Sequence, residues 1–173
     1  EPHRIAEAYK TWKKKYDLIV EIQGDEPLIN PTHIDKVISF HLKNFKSDII
    51  VPSLKIKQTQ NENIVKIVKD NNKNVLYFSR SSIPFDFKKK KYSSSKHLSI
   101  ISFKPSALIK YSKSNQTILE KIEGIELLRA LEIGLKVKSP DFIGDSFSVD
   151  VRKDFIKAQI KLTKDRYFKL YRR

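Results

Sequence analysis

Short apolar runs alternate with amphipathic stretches along the whole chain, and this order favours a sheet covered by helices. The strongest apolar run, residues 17–22, ends in a polar segment at residues 23–27, so we predict a buried strand that feeds a loop. Asn30 and Pro31 are typical of an N-cap and a first helical position, which predicts a helix over residues 31–45. The sequence therefore indicates a mixed α/β sheet with helices on both faces.

A hairpin is predicted within this order. Residues 64–68 and 75–78 have the composition of strands and flank a turn signal at residues 70–72. The polar, lysine-rich stretch from about 86 to 96 is predicted to be a loop. The other predictions are a helix over 4–15, strands over 48–52 and 97–103, a short helix from Pro105, one helix over about 118–133, a strand from Val137, a loop over 141–147 and a helix over 151–167.

Length and composition limit the class of protein. A chain of 173 residues without a Gly/Ser linker fits one domain over residues 1–173. It contains no cysteine, which excludes disulfides, zinc–thiolate sites and a thiol nucleophile. No apolar run approaches the roughly 20 residues of a membrane span, and no secretory signal pattern is present, so we expect a cytoplasmic protein. Because the chain opens on Glu1 directly before a helical pattern, we expect it to be a fragment.

The formal net charge of +15 indicates an anionic partner of some kind. The densest basic run is Lys88–Lys91, between Phe87 and Tyr92. Three interpretations are open: a solvated loop in a lysine-rich protein, a patch that binds nucleic acid, or a site for an acidic small molecule. The charge alone does not decide among them.

Two acidic residues follow apolar runs at predicted strand ends. Asp25 comes after the first strand and beside Gly24, whose lack of a side chain lets a ligand approach the backbone. Asp150 follows the segment 147–149 and precedes the last predicted helix. Two carboxylates together with substrate phosphates are a common way to hold Mg²⁺. Taken singly, each aspartate is more typical of an N-cap or a turn.

Arg80 and His97 are two further candidates. Arg80 lies at a predicted strand end and could bind a carboxylate through two N–H groups, although a surface ion pair is the commoner arrangement. His97 begins a predicted strand, where a packed or surface histidine is commoner than a functional one. No Ser-His-Asp order, P-loop or dinucleotide fingerprint is present.

Six motifs, in a fixed order, resemble those of the 3-deoxy-manno-octulosonate (Kdo) cytidylyltransferases. They are Val-Glu-Ile-Gln-Gly-Asp-Glu-Pro at 20–27, Asn-Glu-Asn-Ile-Val-Lys at 61–66, Leu-Tyr-Phe-Ser-Arg-Ser-Ser-Ile-Pro at 76–84, His-Leu at 97–98, the paired segments 119–123 and 126–132, and Ser-Val-Asp at 148–150. The resemblance extends from about Arg4 to the final helix. It implies a three-layer α/β/α fold like that of nucleotide-diphospho-sugar transferases, with a mixed sheet, an inserted hairpin and a truncated N-terminus.

The same resemblance implies a reaction and a set of roles. The family transfers CMP from CTP to the anomeric hydroxyl of a sugar acid, giving CMP-Kdo and pyrophosphate for lipopolysaccharide biosynthesis. The family works as a homodimer, for which the hairpin would supply contacts. The resemblance implies neither nucleic acid nor membrane as a partner. The implied roles are Asp25 and Asp150 as catalytic ligands of Mg²⁺, Gln23, Arg80, His97 and Glu126 as contacts of the sugar acid, and Arg4 on the nucleotide side.

Departures from the family pattern leave alternatives open. The strand and the basic loop that surround the nucleotide in the family have no match here, so CTP affinity of this chain alone is expected to be largely lost and the fragment itself to be inactive. Ile101 and Leu127 stand where the family has polar sugar contacts. The alternatives are a homologue that binds a sugar acid without catalysis, and a nucleic-acid-binding module inferred from the charge alone.

Overall fold

The computed structural model describes residues 2–90, 92–146, 148–149 and 151–171, and the elements below belong to these ranges. In chain order the helices are α1 (Pro2–Thr11), α2 (Pro31–Lys43), α3 (Pro105–Ser112), α4 (Ile118–Glu123), α5 (Leu127–Glu132), α6 (Arg152–Leu162) and α7 (Arg166–Tyr171). The strands are β1 (Ile19–Ile22), β2 (Ile49–Ile50), β3 (Ser53–Lys57), β4 (Lys66–Lys69), β5 (Val75–Ser79), β6 (Ser93–His97), β7 (Ile100–Phe103), β8 (Val137–Lys138) and β9 (Asp141–Phe142).

The strands form two mixed sheets, which confirms the predicted mixed α/β fold. The first sheet has the order β1-β7-β2-β8, with β7 antiparallel to both of its neighbours and β2 parallel to β8. The second has the order β5-β4-β6-β3-β9, with only the β3–β9 pair parallel. The chain passes between the sheets after β2, β6 and β8, so residues 51–52, 98–99 and 139–140 form a seam where the sheets meet.

The main core packs α1, α3, α4 and α5 against this framework. Its fully buried side chains include Phe78, Phe103, Leu108 and Leu128. A second cluster places Val37 of α2 against the opposite face of the first sheet. Helices therefore cover that sheet from two sides, and β7 between them is buried at every position. The strand predicted over residues 97–103 is shorter in the structure, where β7 begins at Ile100.

The predicted loop over about 86 to 96 is confirmed at residues 86–90 and 92 but wrong from residue 93, since Ser93–His97 is β6 and pairs with β3 on one side and β4 on the other. The strand contains no apolar residue before His97, so its sequence carried no strand signal. Main-chain pairing on both edges stabilises it instead. Its buried side chains are Ser94 and Lys96, and Lys96 forms an ion pair with Glu26.

The predicted helix over about 118–133 is two helices, α4 and α5. Gly124 ends α4 with φ of 62°, a left-handed conformation that favours glycine. At the start of the first of the two, the N–H of Thr117 donates to the Glu120 carboxylate at 3.3 Å. The break turns the chain toward the site, because the carbonyls of Glu123 and Gly124 at this point both accept hydrogen bonds from Arg80.

Several local predictions are confirmed. Asn30 caps α2 by accepting the N–H of Thr32, with Pro31 as the first helical residue. The hairpin is formed by β4 and β5, with an irregularity between Val68 and Lys69. The expected loop from residue 141 begins instead as the two-residue strand β9, and the helix predicted over 151–167 ends at Leu162 before α7 starts. Within the described ranges, no helix has the length and apolar character needed to cross a membrane.

Candidate functional site

Two adjoining cavities open where the seam meets the end of β1. Their volumes are about 340 and 230 Å³, and both are lined by Gln23, Val65, Arg80 and His97. The larger cavity, called cavity A below, is also lined by Asp25, Glu26, Asn63, Lys96, Ser99 and Ser148. The smaller one, cavity B, is also lined by Pro2, Ile101, Gly124, Ile125, Glu126 and Leu127. Five of the seven residues predicted for the site thus line these two cavities, which share four residues of their walls.

Two predicted site residues stand apart. Arg4 lies in α1 with an exposed side chain, and among the described residues it lines neither cavity. Asp150 lies outside the described residues, so its meeting with Asp25 stays a prediction. Ser148 and Val149 are described, and Ser148 lines cavity A.

The loop after β1 is fixed from two sides. The N–H of Gln23 donates to the Ser99 carbonyl at 3.1 Å, which continues the β1–β7 pairing to the seam. The N–H of Val149 donates to the Asp25 carbonyl at 2.8 Å. The Asp25 side chain is exposed and lines cavity A. The segment ending at Val149 is therefore held against the loop that presents this carboxylate.

A buried cluster of charges lies behind Asp25. The side chain of Glu26 is 1% exposed and that of Lys96 11%, and their charged atoms are 3.6 Å apart. Lys96 Nζ also donates to the Ser146 carbonyl at 2.9 Å, and the Ser146 hydroxyl donates to the second oxygen of Glu26. Three separate segments, the β1 loop, β6 and the chain around Ser146, are joined by these contacts.

Arg80 follows β5, and its guanidinium is held by neutral groups. Its Nε donates to the Glu123 carbonyl at 2.9 Å, one terminal nitrogen to the Glu62 carbonyl at 2.9 Å and the other to the Gly124 carbonyl at 3.2 Å. A guanidinium has five N–H groups, so these contacts leave one on each terminal nitrogen. Among the described residues no carboxylate forms an ion pair with it. The positive charge is thus oriented at the cavities without being neutralised by the protein.

The Glu123 carboxylate anchors the main chain of Arg80. One oxygen accepts the N–H of Arg80 at 2.9 Å, and the other accepts the hydroxyl of Ser79 at 2.7 Å. The same carboxylate lies near the hydroxyl of Tyr77, whose pKa is raised by burial and by this negative charge. The end of β5 is therefore fixed to the end of α4 through charge-assisted hydrogen bonds.

His97 is neutral at physiological pH. Burial, with a smaller contribution from the positive charge of Lys96, lowers its pKa to about 4. Its Nε2 is buried and has no hydrogen-bond partner among the described residues. A neutral imidazole in contact with both cavities can donate or accept a hydrogen bond, which suits a ligand hydroxyl.

We predict that His97→Gln reduces the loss of stability at acid pH. The pKa of His97 is lower in the folded than in the unfolded chain, so between about pH 6.5 and 4 the unfolded chain binds a proton that the folded one does not. The free energy of unfolding of the wild type should keep its full value above this range. It should fall, by at most about 1.4 kcal/mol per pH unit, as the pH decreases through the range. Urea unfolding of the wild type and of His97→Gln from pH 7 to 4.5 measures how the stability of each protein depends on pH. Identical pH dependences for the two proteins would contradict the assigned pKa.

The sequence did not identify the residues that support this site. Lys96 and Glu123 act through contacts with residues distant along the chain, and no local pattern indicates these contacts. Asn63 and Val65 stood within a recognised motif, but nothing in their residue type indicated a cavity wall. The signal available was the position of Glu123 in a motif shared with the family.

The residues present are compatible with a hard cation. Asp25 offers exposed carboxylate oxygens at cavity A, the type of ligand that Mg²⁺ prefers. Among the described residues, no group of three or more His, Cys, Asp or Glu side chains is arranged to hold a metal ion. A site at Asp25 would therefore need ligands from beyond these residues, such as substrate phosphates.

Comparison with known proteins identifies relatives over most of the chain. Residues 2–138 match the family model described as cytidylyltransferase. The 3-deoxy-manno-octulosonate cytidylyltransferase of Fusobacterium nucleatum is 39% identical over 156 residues, which cover 87% of this chain and 62% of the relative. The 8-amino-3,8-dideoxy-manno-octulosonate cytidylyltransferase of Shewanella pealeana is 37% identical over 155 residues, covering 86% and 62%. The chain thus spans about three-fifths of the length of these relatives.

A solved structure shows the same fold. The CMP:2-keto-3-deoxy-manno-octonic acid synthetase complexed with CTP superposes with a TM-score of 0.86 at 23% identity, over 94% of this chain and 68% of that one. HddC from Yersinia pseudotuberculosis superposes with a TM-score of 0.61 at 14% identity, over 92% and 61%. The fold expected from the sequence motifs is confirmed by the first of these likenesses.

Proposed function

Because the chain belongs to the cytidylyltransferase family, we propose that it transfers CMP from CTP to a sugar acid of the 3-deoxy-manno-octulosonate type. In this reaction the anomeric hydroxyl oxygen attacks the α-phosphorus of CTP and forms a new P–O bond. The bond from that phosphorus to the bridging oxygen breaks, pyrophosphate leaves with the electron pair, and the hydroxyl proton passes to solvent. No covalent nucleophile of the protein is required, so the demands on the site are positioning and charge stabilisation.

Arg80 is the proposed carboxylate ligand of the sugar acid. Its two remaining N–H groups, one on each terminal nitrogen, match the two oxygens of a carboxylate. Its other N–H groups donate to carbonyls, so the ligand meets an intact positive charge. This combination is the single observation that carries the proposal, because it selects an anionic ligand for the opening shared by both cavities.

The other lining groups are suited to sugar hydroxyls. Gln23 and His97 line both cavities, and Glu126 lines cavity B. An amide, a neutral imidazole and a carboxylate offer both donors and acceptors. We assign these three side chains to the sugar acid, and Arg4 to the nucleotide.

Asp25 and Asp150 are proposed to hold Mg²⁺. Support comes from Val149, the residue before Asp150 in the sequence, whose N–H donates to the Asp25 carbonyl. The ion, when bound, would neutralise phosphate charge and lower the pKa of the attacking hydroxyl. The contribution of the protein is the Asp25 carboxylate, which it presents at cavity A on a loop fixed from two sides.

The experiment is an assay of the complete protein for pyrophosphate release from CTP, with Kdo and its 8-amino analogue as acceptors. We expect release that depends on both substrates and on Mg²⁺, and formation of the CMP-sugar in equal amount. No release with any sugar acid, from a folded protein that binds both substrates, would overturn the proposal.

Arg80→Lys is predicted to raise the KM for the sugar acid about ten- to hundred-fold, because an ammonium cannot offer the paired N–H groups of a guanidinium. The KM for CTP should change by less than about twofold, since the lost contact is with the acid. Steady-state kinetics with each substrate varied in turn measures both values. Equal increases in the two KM values would show that Arg80 does not bind the carboxylate of the sugar acid.

A second candidate function is sugar-acid binding without turnover. It is favoured by Ile101 and Leu127, which are buried and make part of the wall of cavity B apolar. A protein of this kind would bind the acid and release no pyrophosphate in the assay above. The two candidates are therefore separated by one measurement.

The proposal includes a cytoplasmic homodimer. Strand β5 lies at the edge of the five-stranded sheet, and Leu76 on it is 59% exposed. An unpaired edge strand with an exposed apolar side chain is suited to contact with a second subunit. This supports the expectation that the hairpin contributes to the dimer.

A further inference from the structure

Lys66 is a buried cation that has no direct part in the proposed reaction. It lies in β4, its relative exposure is 0%, and burial lowers its pKa from the ordinary value. Its Nζ donates to the carbonyls of Asn61 at 2.8 Å and Ile64 at 2.9 Å, and also to the carbonyl of Arg80. An ammonium has three N–H groups. All three are therefore used within the protein, and none is left for a ligand.

Of the three acceptor residues, Arg80 lines both cavities, and Asn61 and Ile64 lie close in sequence to the lining residues Asn63 and Val65. Asn61 and Ile64 enclose a short loop, tightened by the N–H of Ile64 on the Asn61 carbonyl at 3.2 Å. Asn63 within this loop lines cavity A. The Glu62 carbonyl of the same loop accepts a hydrogen bond from the Arg80 guanidinium. Lys66 and Arg80 thus hold neighbouring carbonyls of one loop, and Lys66 also holds the main chain of Arg80 itself.

The peptide groups of Arg80 are anchored by opposite charges. Its N–H donates to the Glu123 carboxylate and its carbonyl accepts from Lys66. Two charged side chains, on different elements, therefore set the position of one residue without pairing with its guanidinium. Fixed geometry of this kind reduces the ordering that a ligand must bring about on binding.

We propose that Lys66 is a positioning residue, which fixes Arg80 and the loop over 61–64 so that the guanidinium meets the ligand carboxylate in a set orientation. This proposal rests on the proposed function for the identity of the ligand. The anchoring itself does not depend on that function and can be measured without it.

Lys69 offers a matched control in the same strand. Its side chain is 13% exposed, burial also lowers its pKa, and its Nζ has three acceptors, on Ser53, Ser139 and Asp141. None of these three residues is among those lining cavity A or B. A lysine to methionine change at Lys69 removes a largely buried cation of the same strand whose three acceptors do not include Arg80.

The experiment compares Lys66→Met and Lys69→Met in the complete protein. Lys66→Met is expected to raise the KM for the sugar acid about tenfold, with the KM for CTP within about twofold of the wild type, because the loss acts on acid binding. Lys69→Met should leave both KM values within about twofold. Equal effects of the two variants, or an unchanged KM in Lys66→Met, would overturn the proposal.

Hydrogen exchange gives a second readout that needs no turnover. In Lys66→Met, the amides of residues 61–64 and 79–81 should exchange at least about tenfold faster, whereas those of β7 stay protected and Lys69→Met leaves residues 61–64 unchanged. Unchanged exchange in Lys66→Met overturns the proposal whatever the enzyme assay shows. If Lys66→Met does not fold, Lys66→Arg and Lys69→Arg replace the two methionine variants. We again expect faster exchange at residues 61–64 and 79–81 in the Lys66 variant alone. Equal exchange in the two arginine variants would count against the proposal.

Discussion

Asp25→Asn should lower kcat about a thousand-fold, equivalent to about 4 kcal/mol of transition-state stabilisation. The asparagine amide carries no negative charge and is a poor replacement for the carboxylate that we propose as a ligand of Mg²⁺. The side chain is exposed, so little packing is lost and Tm should stay within about 2 °C of the wild type. Pyrophosphate release at saturating substrates, measured beside thermal unfolding, gives both quantities. The same substitution at Asp150 is expected to have the same effect.

The matched control is Asp35→Asn, which makes the same chemical change on the exposed surface of α2. It should leave kcat and Tm as they are. Parallel losses of turnover and stability in Asp25→Asn would indicate a structural role for this carboxylate. Full turnover in Asp25→Asn would show that the Asp25 carboxylate takes no part in the reaction.

Lys96→Met should lower the free energy of unfolding by about 3 kcal/mol or more, because it leaves the Glu26 carboxylate buried without its cation. The Glu26 side chain is 1% exposed, so its carboxylate is poorly solvated once the lysine is removed. The change also removes the donor to the Ser146 carbonyl and loosens the chain that leads to Val149. Urea unfolding measures the loss, and thermal unfolding should show a Tm lower by roughly 6–12 °C.

Lys161→Met provides the comparison. Lys161 approaches Asp145 to 2.6 Å, closer than Lys96 approaches Glu26, but the two side chains are 41% and 85% exposed. Exposed pairs contribute about 1 kcal/mol or less, so this variant should be nearly as stable as the wild type. Adding Glu26→Gln to Lys96→Met should recover part of the loss by removing the stranded charge. Equal, small effects of the two lysine variants would show that burial does not govern the Lys96 contact.

Elements with local signals were predictable from the sequence. The cap at Asn30 and the turn before β5 are specified by adjacent residues, and the structure confirms both. The strand β6 was missed because it is stabilised by pairing with two neighbours distant in sequence, while its own side chains are polar. The break at Gly124 was missed because the apolar spacing of α4 and α5 resembles one continuous helix.

The candidate site shows the same division. Gln23, Asp25, Arg80, His97 and Glu126 were selected from motifs, and the fold brings all five to the two cavities. Their supporting contacts could not be predicted, because they join residues far apart in the chain. The Glu123 carboxylate, for example, accepts the N–H of a residue 43 positions away. Such pairs are set by the packing of α4 against the end of β5, which no single segment specifies.

The position of a bound sugar acid tests the central assignment most directly. A crystal structure of the complete protein with the sugar acid, CTP and Mg²⁺ should place the acid at the junction of cavities A and B, with its carboxylate within hydrogen-bonding distance of both terminal nitrogens of Arg80. Its anomeric hydroxyl should face the α-phosphate beside Asp25. A sugar acid bound elsewhere, or bound here without contact to Arg80, would contradict the account.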